Sequence, residues 1–328
     1  MWILLNTAAP ADCSEQPKVL PCIEHILLYK VTISTTWLRS LFSTLLLLDH
    51  TVTCKLEKCN ITWVVEDAVR GSDTTTDTSL MFFKNEFTIL ETESYSPGLW
   101  GAHRGLNIKR LSLIGGINDC YAIRKEWMLQ SLSSLTHWDT LNIEVNLDSP
   151  GLWEAVHGLN IKRLSLMGGL RGLYVIHAES MSQSLASLKK LDTLSIEVKY
   201  YNPALWEALH GLNIKSLNLS GGLSNYSNEE SILLPSLKKL ETLSLCVHMY
   251  IGIKLPQTLK HFNVYCSALL PSELREHLDT LSACTQALEF KIEFGCASSD
   301  VVPLTRIPPE EYTAIQQELG TSKNVAVK

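Results

Sequence analysis

The chain has 328 residues, 45% hydrophobic and 19% charged, and 28 Lys and Arg stand against 34 Asp and Glu for a formal charge of −6. A mildly acidic chain lacks the electrostatic footprint of a nucleic-acid binder and the basic clusters that hold a protein on anionic membrane. Its apolar content is too high for disorder, and leucine alone supplies 55 residues, so a soluble protein with most of its sequence devoted to core is expected.

In chain order, Met1-Trp2-Ile3-Leu4-Leu5 turns polar too soon to form a secretory signal, which needs a basic start and an apolar stretch of about 7–15 residues. Thr35 or Thr36 is placed to cap a helix running through Trp37, Leu38, Leu41, Phe42 and Leu45 to Leu48. Residues 1–50 therefore read as an N-terminal segment with a capping helix. The densest apolar stretch, 40–48, falls far short of the roughly 20 residues that cross a bilayer, and no membrane insertion is expected. A strand is predicted over 52–61, and a Ser/Thr/Asp-rich loop over 70–79.

Self-similarity dominates the middle of the chain. Ser96-Pro97-Gly98-Leu99-Trp100 returns as Ser149-Pro150-Gly151-Leu152-Trp153 and as Asn202-Pro203-Ala204-Leu205-Trp206, so the tryptophans stand 53 residues apart. After each comes the phrase Gly105-Leu106-Asn107-Ile108-Lys109-Arg110-Leu111-Ser112-Leu113 or its copy from Gly158 or Gly211. Each 53-residue unit (96–148, 149–201 and the shorter 202–250) holds two Leu-x-x-Leu-x-Leu strings, whose alternation marks short half-buried strands. With the middle leucine as marker, the register runs Cys54, Phe87, Leu111, Leu141, Leu164, Leu194, Leu217, Leu243, Phe262 and Leu288. The longer intervals carry amphipathic helices such as 179–190, with Met181, Leu185 and Leu188 on one face. The shorter ones carry Pro-Gly-Leu-Trp-Glu-Ala, opened by Pro and closed by Gly158 or Gly211.

Strand, helix, strand, short helix describes an α/β solenoid in which each unit is buried by its neighbours. The array is read over 51–295, and 296–328 as a C-terminal cap: a helix opened by Pro308-Pro309 and a last strand over 324–327.

These residues resemble the leucine-rich repeat proteins. Cys54-x-Leu56-x-x-Cys59-x-Ile61-Thr62 is similar to the ribonuclease-inhibitor type of repeat, which also builds the sensor arrays of intracellular NOD-like receptors. The resemblance implies a horseshoe with parallel strands on its concave face and helices on its convex face. It further implies a role in protein recognition, as a sensor region in innate immunity or as a substrate adaptor. The family's ladder residue, five after the middle leucine, is Cys59 once but then Thr92, Gly116, Asn146, Gly169, Lys199 and Gly222, so the turns after these strands satisfy their backbone otherwise.

The chain contains no Walker-type loop, HExxH, GxSxG or metal-spaced Cys/His cluster. It reads as a non-enzymatic protein without cofactor or metal. Gly168-Gly169-x-x-Gly172 lacks its third glycine in the other copies and reads as a strand-exit turn; His157 and His210 read as helix-end cations. Trp100, Trp153 and Trp206 read as core wedges between units rather than a stacking ladder. Nine scattered cysteines without a CxxC pair fit small core residues in a reducing cytoplasm.

Function then falls to the strand residues that alternate with the leucines, which point to the concave face. Arg110, Ser112, Asn142, Glu144, Arg163, Ser165, Ser195, Glu197, Asn218, Ser244, His261, Asn263 and Tyr265 are the candidate partner-binding residues. A broad polar face with both charge signs suits a folded protein surface better than lipid or RNA, and the isolated array is expected to be monomeric. The alternative is an extracellular receptor fragment carrying glycans on the sequons at Asn60, Asn218 and Asn225.

Overall fold

The structure is a computed structural model. It describes residues 2–5, 22–57, 59–62, 86–90, 109–114, 132–133, 135, 138–145, 148, 150–168, 173, 175–198, 203–221, 232–234, 236–247, 253–266, 275–276, 279, 281, 288–294, 313, 317 and 325–327. The elements begin with β1 (Trp2–Leu5), β2 (His25–Tyr29), β3 (Thr32–Ser34), α1 (Thr35–Leu46), β4 (Thr53–Glu57), β5 (Asn60–Thr62) and β6 (Glu86–Leu90). The middle of the chain holds β7 (Arg110–Ile114), β8 (Thr140–Glu144), α2 (Pro150–Val156), β9 (Arg163–Met167), α3 (Ala178–Ser187), β10 (Thr193–Val198), α4 (Pro203–Leu209) and β11 (Ser216–Gly221). Last come β12 (Ile232–Leu233), β13 (Thr242–Val247), β14 (Ile253–Lys254), β15 (His261–Cys266), β16 (Leu288–Phe294) and β17 (Val325–Val327).

Thirteen strands form one sheet, in the order β1-β2-β4-β6-β7-β8-β9-β10-β11-β13-β15-β16-β17. Every neighbouring pair is parallel, and the sheet never departs from chain order. A doubly wound sheet reverses its order at a switch point. Strictly sequential addition is instead consistent with a repeat solenoid. β3 with β5, and β12 with β14, form two small parallel ladders beside the main sheet.

One apolar row crosses the whole sheet in register: Ile3, Ile26, Cys54, Phe87, Leu111, Leu141, Leu164, Leu194, Leu217, Leu243, Phe262, Phe290 and Val327. At its end the row corrects the sequence reading, because Phe290 and not Leu288 stands beside Phe262. Their rings lie 5.5 Å apart. Alternation runs unbroken through 288–294, and a two-residue shift of register leaves the same face buried, so the pattern alone does not locate the centre.

Two strands lie outside the expected array limit at residue 51. β1 and β2 join the sheet through Ile26↔Cys54 and its neighbours. His-Ile-Leu-Leu-Tyr is apolar on both faces, which hides its period. The expected strand over 52–61 is two strands, β4 and β5, and the break between them has a purpose. Cys59 is buried there, and its thiol donates to the Leu28 carbonyl at 3.1 Å. That is a ladder role, satisfying the backbone of the preceding unit. Helix α1 is capped by Ser34, whose Oγ accepts from the Trp37 N–H at 3.2 Å, so Thr35 and Thr36 lie inside the helix. The expected C-terminal helix lies outside the described residues, apart from Thr313 and Gln317. The expected last strand is present as β17.

α2 and α4 open on Pro150 and Pro203, and each is followed by a glycine at φ near +71°, the left-handed conformation that ends a helix. α3 packs against both α2 and α4. Leu152, Trp153, Met181, Leu185, Leu205 and Leu209 join the strand leucines in a single core. Trp153 is therefore a core wedge, as expected; Trp206 packs on the same core only partly buried, and Trp100 lies outside the described residues.

Candidate functional site

The alternation that buries Leu194, Ile196 and Val198 leaves Thr193, Ser195 and Glu197 half-exposed on the other face of β10. The same holds along β8 to β15, so register alone arranges the candidate residues in three rows across the strands. The row at the strand starts reads Arg110, Thr140, Arg163, Thr193, Ser216, Thr242 and His261. The middle row reads Ser112, Asn142, Ser165, Ser195, Asn218, Ser244 and Asn263. At the strand ends stand Glu144, Met167, Glu197, Ser220, Cys246 and Tyr265. All thirteen candidates from the sequence therefore share one face of one sheet.

They are not equally accessible. Ser112 is only 4% exposed, and its hydroxyl accepts from Asn142 Nδ2 at 2.9 Å, so it positions Asn142 rather than meeting a partner. Arg163 is exposed and is held by its Nε donating to Thr140 Oγ1 at 2.9 Å. Asn263 Nδ2 donates to Ser244 Oγ at 3.3 Å, and His261 pairs with Glu289 at 3.1 Å. Beyond them Lys291 pairs with Glu293. Glu144 and Glu197 differ. Neither carboxylate has a cation or a hydrogen-bond donor among the described residues, and partial burial followed by the charge of Glu144 pushes the Glu197 carboxyl up from its ordinary range. Burial, and then Glu197, push the Cys246 thiol up as well, so it stays protonated and is no activated nucleophile.

Sequence reasoning missed a line of charge beside this face. Immediately before successive strands stand Lys109, Asp139, Lys162, Asp192, Lys215, Glu241 and Lys260. Their carbonyls accept from the next strand's first N–H groups at 2.8–3.2 Å; that of Asp139, for instance, takes both Lys162 and Arg163. The side chains add pairs between neighbouring units: Lys162–Asp139 at 3.2 Å, Lys215–Asp192 at 3.3 Å and Lys260–Glu241 at 2.8 Å. The signal was available, since the 53-residue phrase puts Lys before one strand and an acid before the next.

A second missed residue is Asp148, 2% exposed. Its carboxylate accepts from Trp153 Nε1 at 2.8 Å and from the backbone N–H groups of Ile176 at 2.7 Å and His177 at 3.0 Å. It thus fastens α2 to the start of α3. The copies carry Tyr95 and Tyr201 at this position, and the indole N–H of Trp206 is buried with no partner among the described residues. His157 and His210 sit exposed just past α2 and α4, and the glycine turn after β9 lies outside the described residues save for buried Gly168.

One open pocket of about 450 Å³ lies at the other end of the sheet, lined by Cys22, Glu24, His25, His50, Thr51 and Thr53. His50 closes its floor: Nδ1 faces Asp49 Oδ1 at 2.9 Å and Nε2 faces the Ile23 carbonyl at 2.6 Å. Among the described residues no three His, Cys, Asp or Glu side chains are placed to share a metal ion, and no helix is long and apolar enough to cross a membrane. Cys54, Cys59 and Cys266 are buried thiols outside any disulfide, and burial pushes the Cys54 thiol up to about 12.

Comparison with models of protein families, with curated proteins and with solved structures finds no match for this chain.

Proposed function

We propose that the chain is a leucine-rich repeat solenoid that serves as a non-enzymatic recognition module and binds a protein partner through the polar face of its sheet. That face is the concave side of a horseshoe, with the helices on the convex side. One observation carries the reading: seven in-register parallel strands, β7 to β11 with β13 and β15, present a continuous face whose middle row is Ser and Asn and whose flanking rows carry Arg163, Glu144 and Glu197, wide enough for a folded surface. A standard interface buries about 800 Å² per partner. Seven strands at about 4.8 Å spacing and about 13 Å of strand length supply some 400 Å² of flat area before side-chain relief is counted, so a partner occupies most of β7 to β15. Repeat surfaces of this kind bind by shape and charge rather than by a deep pocket. A sensor region of an intracellular NOD-like receptor and a substrate adaptor both fit. Cys54, Cys59 and Cys266, buried as thiols rather than disulfides, support a reducing cytoplasm.

The test is partner capture with and without Arg110→Glu plus Arg163→Glu, two changes on the strand-start row that leave the buried row untouched. Loss of the captured protein, with the circular dichroism spectrum unchanged, is the expected result. An unchanged set of partners removes the face from consideration.

A further inference from the structure

The acids of this sheet divide into two groups. Asp139, Asp192, Glu241 and Glu293 have lysine partners within the chain, and Glu289 pairs with His261. Glu144 and Glu197 have none among the described residues, and they flank Met167 on β8, β9 and β10. Across the face from them stand Arg110 and Arg163, on β7 and β9. The geometry of these four charges selects an occupant. Resting on the recognition reading above, we propose that the face takes a single α-helix of a partner protein, laid across β7 to β10. Its cations meet Glu144 and Glu197, and its acids meet Arg110 and Arg163.

Spacing decides between helix and strand. Neighbouring strands are about 4.8 Å apart, so Arg110 and Arg163 are about 9.6 Å apart, and so are Glu144 and Glu197. Along a strand, the two rows are separated by four residues, about 13 Å. A helix advances about 10.5 Å per heptad and is about 10–12 Å across with its side chains. It therefore fits between the rows, and its flanks repeat within about 1 Å of the charge period. An extended strand shows the same side every 6.6–6.8 Å and falls out of step after one interval. The floor between the rows is built of Ser165, Ser195 and Asn142, short side chains that admit a helix, and half-exposed Met167 offers it an apolar contact. Arg163 is exposed, and its Nε donates to Thr140 Oγ1. Partial burial, and then the charge of Glu144, raise the Glu197 carboxyl, and an incoming Lys or Arg favours its charged form.

The probe is a three-heptad, alanine-based helical peptide with Lys at every e position and Glu at every g, the positions that flank a helix's contact seam. The control has the same composition with its charges moved to b and f. Fluorescence anisotropy at low ionic strength, where exposed charges are least screened, measures both against the full chain. The flanked peptide should bind at least about ten-fold tighter than the control and gain helicity on binding. Glu144→Gln with Glu197→Gln, and separately Ser195→Arg in the floor, should each remove most of that preference. Equal affinity of the two peptides, or indifference to both variants, overturns the helix. If Arg110→Glu plus Arg163→Glu still abolishes capture of a natural partner, the recognition face stands and only its helical occupant falls.

Discussion

Asp148 offers the most direct test of how the units are fastened. Replacing it by alanine strands three donors at once. Trp153 is fully buried, so its indole N–H loses an acceptor that water cannot replace, a cost of about 1–3 kcal/mol. The Ile176 and His177 N–H groups sit at the start of α3 in a part-buried setting. Their loss resembles removal of a helix cap, about 0.5–1 kcal/mol each. Asp148→Ala is therefore expected to cost about 3–4 kcal/mol, and Asp148→Asn, which keeps one acceptor oxygen, about half of that. Trp153→Phe removes the donor instead, and the double variant should be less destabilised than the sum of the singles by about 1 kcal/mol or more. Trp206→Phe is the internal control, because its buried N–H has no partner among the described residues; it should cost clearly less than Trp153→Phe. Urea melts give the energies, provided the slope with denaturant stays constant. Hydrogen exchange at Ile176 and His177 reports the local fastening. A loss below about 1 kcal/mol for Asp148→Ala, or strict additivity with Trp153→Phe, refutes the account.

Two further outcomes concern the backbone and pH. Gly221, at φ +99° between β10 and β13, leaves no room for a Cβ, which would lie 2.0 Å from the Val198 carbonyl oxygen. Gly221→Ala should cost about 3 kcal/mol or more by urea melt, against about 1 kcal/mol for Gly158→Ala, where φ is +71° but the space is open. His50 faces two acceptors, Asp49 and the Ile23 carbonyl, and only the doubly protonated ring donates to both. Its hydrogen bond to Asp49, then that to Ile23, raise its pKa above 6.5, with the charges of Asp49 and nearby Glu24 acting in the same direction. A raised folded value means that the stabilisation is fully present below about 6.5 and is lost as pH climbs through the folded pKa. NMR titration should place the His50 midpoint above 6.5, and His50→Gln should flatten the loss of stability on the alkaline side. A midpoint at or below 6.5 contradicts the clasp.

The near-identity of the 53-residue copies is what made the strands legible. Where Gly105 to Leu113 is repeated from Gly158 and Gly211, the marker leucines and their face were placed correctly, and so were the Pro-initiated helices. Legibility failed where the pattern carries no phase. β2 is apolar on both faces, and β16 alternates too long to show its centre. The fastening by Asp148 was hidden for another reason: Asp148 departs from Tyr95 and Tyr201 in the other copies, and a buried acid gives no periodic signal. The rows of the polar face were readable as a set, but the burial of Ser112 beneath Asn142 was not, since it depends on which hydroxyl the neighbouring amide selects.

The doubling of the repeat has an electrostatic consequence that a single 26-residue unit lacks. In a strictly repeating sheet, a charge at any position faces its own copy about 4.8 Å away, a repulsion of about 0.9 kcal/mol even in bulk water. Alternating two kinds of strand puts like charges about 9.6 Å apart and halves that repulsion. It also puts an opposite or neutral group between them: Asp139 between Lys109 and Lys162, Thr140 between Arg110 and Arg163, and Met167 between Glu144 and Glu197. At the strand starts the chain neutralises the alternation internally, by pairs such as Lys162–Asp139. On the face Lys291 pairs with Glu293, whereas Glu144 and Glu197 have no cation beside them among the described residues. The pattern lapses at β11 and β13, where Ser216 stands in the place of Arg163 and Cys246 in that of Glu197. The alternation of Arg110 and Arg163 with Glu144 and Glu197 is therefore confined to β7 to β10, the strands on which the proposed helix lies.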